Sequence, residues 1–258
     1  MLSDPCPDQI SRVGGGNGRL HLHAVEGPKR SWYVAGKFAV EWVLAFMLVV
    51  LTLPLLAVLA LVVKLTSPGP ALYWQTRLGR YGCVYRMCKL RSMVHDCEMK
   101  TGPVWSLPGD RRVTPFGRFL RDTHLDELPQ LWNVLQGHMG LVGPRPERPE
   151  ITARIERSLP NFRDRLLVRP GVTGLAQMRL PADRDLEGVR KKLAHDLYYV
   201  REVSFLLDVR IAFSTGFYFL AAASQAVCAA LVKPYGRAVE RNLEPAREPA
   251  DAYEVGAA

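Results

Sequence analysis

The sequence predicts an α/β, mostly helical protein. It has a re-entrant N-terminal membrane helix-break-helix and a compact domain that carries interfacial amphipathic helices. Three observations lead there. A single block of 22 uncharged residues, Trp42 to Val63, holds a large share of the apolar side chains. Basic residues flank that block on both sides, and Pro54 lies near its middle. Beyond it, short apolar stretches alternate with Pro and Gly, the pattern of a small mixed domain.

The composition agrees with this class. The 258 residues are 48% hydrophobic and 23% charged, which excludes a disordered polyelectrolyte or a low-complexity fibre. One apolar block is too little for a polytopic transporter. Lys and Arg number 34 against 25 Asp and Glu, a net charge of +9.

In chain order, residues 1–30 contain Pro5, Pro7 and the run Gly14-Gly15-Gly16-Asn17-Gly18 with no sustained apolar period, and read as a mobile leader. Residues 31–66 form the anchor. At about 1.5 Å per residue its uncharged block makes a helix roughly 33 Å long, enough for a hydrocarbon core of about 30 Å. A cleavable signal fits poorly, because the run is longer than an h-region and no Ala-x-Ala site follows it closely. Lys29, Arg30 and Lys37 precede the block, while Lys64, Arg77, Arg80, Arg86, Lys89 and Arg91 follow it. Because basic residues favour the cytoplasmic side, a simple span would place one basic flank on the wrong face. A helix that breaks at Pro54 and returns resolves the conflict, with the Thr52 hydroxyl available to a carbonyl freed by the proline.

Residues 67–241 form the compact domain and 242–258 a loose tail rich in Pro, Ala and Glu. Ser67-Pro68-Gly69-Pro70 ends the anchor helix. Ala71 to Met93 reads as strands or extended loops. Between Lys64 and Leu125 eleven basic residues face four acidic ones, so seven of the nine excess charges sit beside the anchor. That placement suggests anionic membrane lipids or phosphorylated substrates, with a solvated basic face as the plain alternative. Nothing resembles a groove-reading helix or a stacking sheet, so nucleic acid is not expected as a partner.

In Leu125-Asp126-Glu127-Leu128-Pro129-Gln130-Leu131-Trp132-Asn133, the apolar residues recur at helical spacing. The spacing predicts a helix starting near Asp126, with Asp126 as N-cap and Pro129 in the first turn. Adjacent acids there are either simple caps or site carboxylates. Two arginine loops favour a site: Val142-Gly143-Pro144-Arg145-Pro146 and Arg169-Pro170-Gly171-Val172-Thr173-Gly174. Pro or Gly beside each arginine restricts its direction, and guanidinium binds phosphate oxygens through paired hydrogen bonds. With Lys89-Leu90-Arg91 they form the outline of a phosphate-handling site.

Taken in order, Ser67-Pro-Gly-Pro70, Lys89-Leu-Arg-Ser-Met93, Leu125-Asp-Glu-Leu-Pro-Gln-Leu-Trp-Asn133, Val142-Gly-Pro-Arg-Pro-Glu147, Arg169-Pro-Gly-Val-Thr-Gly174 and Asp196-Leu-Tyr-Tyr-Val200 resemble the bacterial sugar transferases, the monotopic phosphoglycosyl transferases. The resemblance covers about Lys37 to Phe217. It implies transfer of a phospho-sugar from a nucleoside diphosphate sugar, with a UDP-sugar favoured, to polyprenyl (undecaprenyl) phosphate, releasing UMP. This is the first membrane step of exopolysaccharide or other glycoconjugate synthesis. It places the protein at the bacterial inner membrane with its catalytic domain on the cytoplasmic face, and it implies a re-entrant helix independently of the flank charges. Residue by residue it makes Asp126 the nucleophile of a covalent aspartyl intermediate and Glu127 a ligand of Mg²⁺. Lys89, Arg91, Arg121, Arg145 and Arg169 are the expected phosphate-binding residues, and Asn133, Gln177 and Asp196 are expected supports. The chain is also compatible with a homo-oligomer. A non-catalytic scaffold binding lipid or nucleotide at the membrane surface is the alternative from another class.

The sequence departs from the family pattern at several places. Phe38 and Glu41 follow Lys37 where Arg and Asp are common, and Leu53-Pro54 replaces Ser-Pro. Gly137-His138-Met139-Gly140 stands for Gly-Asp-Met-Ser, and Arg179-Leu180-Pro181-Ala182-Asp183 replaces an Asn-Gly-Arg run. Cys6, Cys83, Cys88, Cys97 and Cys228 read as free thiols of a reducing compartment. A zinc site from Cys83, Cys88, His95 and Cys97 would need unusual spacing. Ile211 to Val232 is expected as an interfacial or packing helix, with a second span as the alternative.

Overall fold

The computed structural model describes residues 27–28, 32–99, 102, 109–181 and 185–221. The tail, nearly all of the leader, residues 182–183 of the variant loop and residues 222–232 of the second apolar stretch lie outside the described residues.

The apolar block lies within α1, Trp32–Thr66, with Pro54 inside it. Where the sequence predicts a helix-break-helix, Trp32–Thr66 is a single helix that includes the proline. Thr52 does donate its hydroxyl to a carbonyl, that of Leu48 at 2.7 Å. The carbonyl four residues before Pro54 is that of Val50, so this bond reinforces the preceding turn. Among the described residues α1 alone is long and apolar enough to cross a membrane.

Both ends of α1 pack on the same body. Tyr33 joins Val142, Leu175, Tyr199, Leu207 and Ile211 in one apolar cluster, and Ala45 joins Tyr85, Met87, Val134 and Met139 in another. Leu59 and Val63 pack with Leu90 and Leu120. The intervening residues include exposed Phe46, Met47, Leu48, Val50, Leu51, Leu53, Leu55 and Val58. Polar bonds fasten the first end. Lys37 Nζ bridges Glu41 and Asp208, both at 2.5 Å, and Tyr33 and Tyr199 donate to Asp208 at 2.5 and 2.8 Å. Glu41 accepts the amide of Val142 at 3.0 Å, and Trp42 donates to the Leu135 carbonyl at 3.0 Å.

After the Ser-Pro-Gly-Pro stop, β1 (Leu72–Leu78) and β2 (Val84–Leu90) pair antiparallel, with Arg77 opposite Tyr85 and Tyr73 opposite Lys89. The outer edge of β2 is met by a side chain. Asn133 accepts the Cys88 amide at 2.9 Å and donates to the Arg86 carbonyl at 2.8 Å, fixing α3 (Gln130–Leu135) against the strand. Before it, α2 (Pro115–Asp122) starts with Thr114 as N-cap and Pro at its first position. Gly117 lets α2 approach: a Cβ there would overlap the Ser92 carbonyl.

The remaining strands, β3 (Gly140–Val142) and β4 (Gly171–Thr173), pair in parallel. Helices α4 (Pro149–Ile155) and α6 (Leu186–Arg201) share an apolar cluster of Ile151, Ile155, Phe162, Val189 and Leu193. Short α5 (Leu175–Arg179) precedes α6, and α7 (Phe205–Ala221) follows it. Helix α7 buries Leu207 and Ile211 while Phe205, Leu206, Val209, Phe213 and Phe217 stay exposed. Among the described residues the fold is mostly helical with two small sheets, in line with the α/β, mostly helical class that the sequence predicts.

Candidate active site

The acidic pair does not cap an α-helix. Residues Leu125–Glu127 form a 3₁₀ turn entered through His124 in the left-handed region at φ 54°, and α3 begins only at Gln130. Pro129 has no amide to donate, so the turn ahead of it closes through three-residue bonds, such as Leu128 to Leu125 at 3.4 Å. Asp126 lies inside this turn, 7% exposed, and Glu127 follows it.

Three sequence-distant residues converge on Glu127. Lys89, from β2, places Nζ 2.8 Å from Glu127 Oε1. Arg145, from the loop after β3, engages Glu127 with both arms of its fork, at 2.5 Å to Oε1 and 3.2 Å to Oε2. Lys89 shares a strand face with Tyr85 and Met87 by two-residue alternation. Asn133 places the acidic turn over that face.

The two carboxyls differ in electrostatics. Burial alone would raise Glu127, but the charges and hydrogen bonds of Arg145 and Lys89 hold it well below the usual carboxylate range. Asp126 is raised, chiefly by burial and also by the charge of Glu127, while Lys89, Arg121 and Arg145 act against the rise. Arg145 itself is raised by Glu127. The arrangement keeps one carboxylate firmly ionised beside a second that is buried and has no hydrogen bond from Lys89 or Arg145.

The sequence-predicted residues divide accordingly. Asp126, Glu127, Lys89 and Arg145 come together, and Arg121, near the end of α2, acts on Asp126 through its charge. Arg91 does not join them. Its guanidinium donates to the carbonyls of Val63, Ser67 and Pro68 and to the Ser67 hydroxyl, where it caps the end of α1. Arg169 is also placed elsewhere: it donates to the Gly137 carbonyl at 3.1 Å and stacks over Phe38 at 4.3 Å. The glycines of its loop serve close backbone packing, since a Cβ at Gly174 would overlap the Gly143 carbonyl. Gln177 supports β4 by donating to the Val172 carbonyl at 3.3 Å. Asp196 is buried and pairs with Arg165 at 2.8 Å.

Two arginines outside any Pro- or Gly-framed motif, Arg165 and Arg77, also reach the Arg145 loop. Arg165 donates to the carbonyl of Arg145 at 2.6 Å. Arg77 donates to the Pro146 carbonyl at 3.1 Å and pairs with Glu147 at 2.9 Å. Two departures from the family pattern also meet. A Cβ on Gly140 would lie 2.6 Å from Glu41 Oε2, so the longer acid occupies the space a side chain at 140 would need. His138 stacks on Tyr85 at 5.5 Å. Among the described residues no group of three or more His, Cys, Asp or Glu is placed to hold a metal, the four zinc candidates included.

The sequence model of one family, described as bacterial sugar transferase, matches residues 32–222. A UDP-N-acetylgalactosamine-undecaprenyl-phosphate N-acetylgalactosaminephosphotransferase of Aeromonas hydrophila is 41% identical over 162 residues, 63% of this chain and 38% of that protein. An exopolysaccharide production protein of Rhizobium leguminosarum is 44% identical over 168 residues, 63% of this chain and 84% of that one. A UDP-glucose:undecaprenyl-phosphate glucose-1-phosphate transferase of Caulobacter vibrioides is 41% identical over 181 residues, 69% and 67% of the two chains.

Proposed function

From the premise that this chain belongs to the bacterial sugar transferase family, we propose that it is a membrane-anchored phosphoglycosyl transferase. It moves a phospho-sugar from a UDP-sugar to undecaprenyl phosphate and releases UMP, as the first membrane step of a polysaccharide or glycoconjugate. The observation that carries this reading is Glu127 clamped between Lys89 and Arg145, with buried Asp126 beside it.

The reaction proceeds in two displacements on one phosphorus. A carboxylate oxygen of Asp126 attacks the sugar-bearing phosphorus, and the bond to the bridging diphosphate oxygen breaks. UMP leaves with that oxygen, and Asp126 holds the phospho-sugar as an acyl phosphate. An oxygen of undecaprenyl phosphate then attacks the same phosphorus, breaks the acyl bond and restores the Asp126 carboxylate. Burial lowers the solvation of that carboxylate, and nearby Lys89, Arg121 and Arg145 supply the charge that keeps it usable. The same cations would meet the phosphate oxygens of a bound donor, where fixed positive charge stabilises the transition state.

Glu127 is the residue that would hold a Mg²⁺ ion. Glu127 Oε1 accepts from both Lys89 and Arg145, whereas Oε2 accepts only from Arg145 and keeps a lone pair. Mg²⁺ is commonly bound through one or two carboxylates together with substrate phosphates and water. When bound at Glu127 it neutralises diphosphate charge.

Membrane attachment follows from α1. Its first and last turns both pack on one domain, so a crossing would leave one of those packings unmade. Residues 46–58, about 20 Å of helix at ~1.5 Å per residue, present an apolar surface far larger than a soluble protein keeps. The anchor is thus read as dipping its middle into the cytoplasmic side of the inner membrane, with both ends left on that side. The exposed apolar face of α7 rests on the same surface, and the basic residues around the anchor meet anionic lipids.

The test is UMP release from a panel of UDP-sugars with undecaprenyl phosphate and Mg²⁺. Release with at least one donor, abolished in Asp126→Asn, is the expected result. No release from any nucleotide sugar would favour a membrane-surface scaffold.

A further inference from the structure

Arg145 faces solvent over 45% of its side chain, yet it must aim both arms of its fork at Glu127. Pro144 and Pro146 restrict the backbone on either side. Pro146 also keeps Arg145 out of the α region, and a second arginine holds the Arg145 carbonyl from the core side. Arg165 lies in the 3₁₀ segment Pro160–Leu167 and is only 8% exposed. One of its terminal nitrogens donates to the Arg145 carbonyl at 2.6 Å and pairs with Asp196 at 2.8 Å. Its guanidinium also lies over the Phe162 ring at 4.9 Å. Phe162 belongs to the apolar cluster that joins α4 to α6, and Asp196 is a buried residue of α6. A rigid part of the core therefore reaches the backbone of the residue that clamps Glu127.

We infer that Arg165, held by Asp196, is a positioning residue that sets Arg145 for the reaction. This inference rests on the transferase reading. A charged donor paired with a buried carboxylate has little freedom to move, so its bond to the carbonyl fixes the loop more firmly than a neutral contact would. Arg165 touches neither Glu127 nor Asp126 in any hydrogen bond or ion pair, so its effect on turnover passes through Arg145.

The test is a double-mutant cycle on the full chain in lipid nanodiscs, read as kcat/KM for UMP release and as melting temperature. Removing Arg165 alone would strand the buried Asp196 charge, so the paired variant Arg165→Met/Asp196→Asn is used. A displacement of the reacting groups by about 1 Å costs on the order of 100-fold. The paired variant is expected to lose about 10- to 100-fold in kcat/KM. In an Arg145→Ala background the same pair is expected to change kcat/KM less than about threefold, because the group it positions is gone. Arg165→Lys, which keeps the charge on Asp196, is expected to retain part of the activity, and it carries the same cycle if the paired variant fails to fold. Equal losses with and without Arg145 would overturn the inference. So would a lowered melting temperature with unchanged kcat/KM per folded molecule, the mark of a purely structural role. A wild type that releases no UMP overturns the transferase reading itself; an active wild type with additive losses overturns only the role of Arg165.

Discussion

Gly140→Ser should damage this protein through Glu41, although the two residues are 99 positions apart. A Cβ at 140 would stand 2.6 Å from Glu41 Oε2 and 3.3 Å from its Cδ, well inside contact distance. The carboxylate cannot simply swing away, because Oε1 accepts both Lys37 Nζ at 2.5 Å and the Val142 amide at 3.0 Å, and the side chain is buried. Overpacking costs about 1–3 kcal/mol, and a buried amide left unpaired costs about the same. Gly140→Ser is therefore expected to lose about 3 kcal/mol. Glu41→Asp alone withdraws the carboxylate by one methylene and loses about 1–2 kcal/mol with the Val142 bond. Together the two changes restore room for the serine, and their combined loss should fall short of the sum by about 1–2 kcal/mol. Thermal unfolding of the four proteins in one detergent, followed by circular dichroism, measures this. About 1 kcal/mol corresponds to roughly 2–4 °C at this size. Additive shifts would refute the claim that Glu41 and Gly140 share one space.

Three further outcomes follow from the same geometry. Because burial raises Asp126 and its protonated form cannot attack phosphorus, kcat/KM should rise with pH along an acid limb centred above the ~3.9 of a solvated aspartate. A limb at or below that value in a pH profile would contradict the placement of Asp126. Arg145→Lys keeps the charge but loses the two-armed grip on Glu127, so kcat/KM for UMP release should fall roughly 10- to 100-fold, and an unchanged value would contradict its role. Trp32→Cys and Leu65→Cys, each in a cysteine-free background, should both react with an impermeant maleimide only after cytoplasmic access is opened. Labelling of the two positions from opposite sides would contradict the returning anchor.

The legible part of this structure was the part written in types and spacings. The uncharged run marked α1, and the order of the Lys89, Asp126-Glu127 and Arg145 motifs marked four residues that do meet. Other placements depend on tertiary contacts that local signals do not carry. Arg91 stands two residues from Lys89 in a basic motif, but β2 ends at Leu90, and the open carbonyls at the end of α1 take its guanidinium. Asp126 carries a capping residue's signature, yet Leu125–Glu127 closes as a 3₁₀ turn entered through His124 in the left-handed region, and α3 starts only at Gln130. Arg169 has the same Pro-framed look as Arg145, while Phe38, itself a departure from the family pattern, draws it to the anchor. Pro54 reads as a break, but one lost hydrogen bond did not interrupt the helix, whose two ends are fixed by packing far from the proline. Arg165 had no signal at all, because its role depends on a carbonyl 20 residues away in sequence.

The central claim is that Asp126 carries the phospho-sugar between the two substrates. Mixing enzyme with its UDP-sugar and Mg²⁺ in the absence of undecaprenyl phosphate, then quenching and sizing the peptides by mass spectrometry, tests it most directly. The account predicts a rapid burst of about one UMP per active enzyme and a phospho-sugar mass on the peptide containing Asp126, both absent in Asp126→Asn. UMP formed only when undecaprenyl phosphate is present, with no adduct on that peptide, would contradict it.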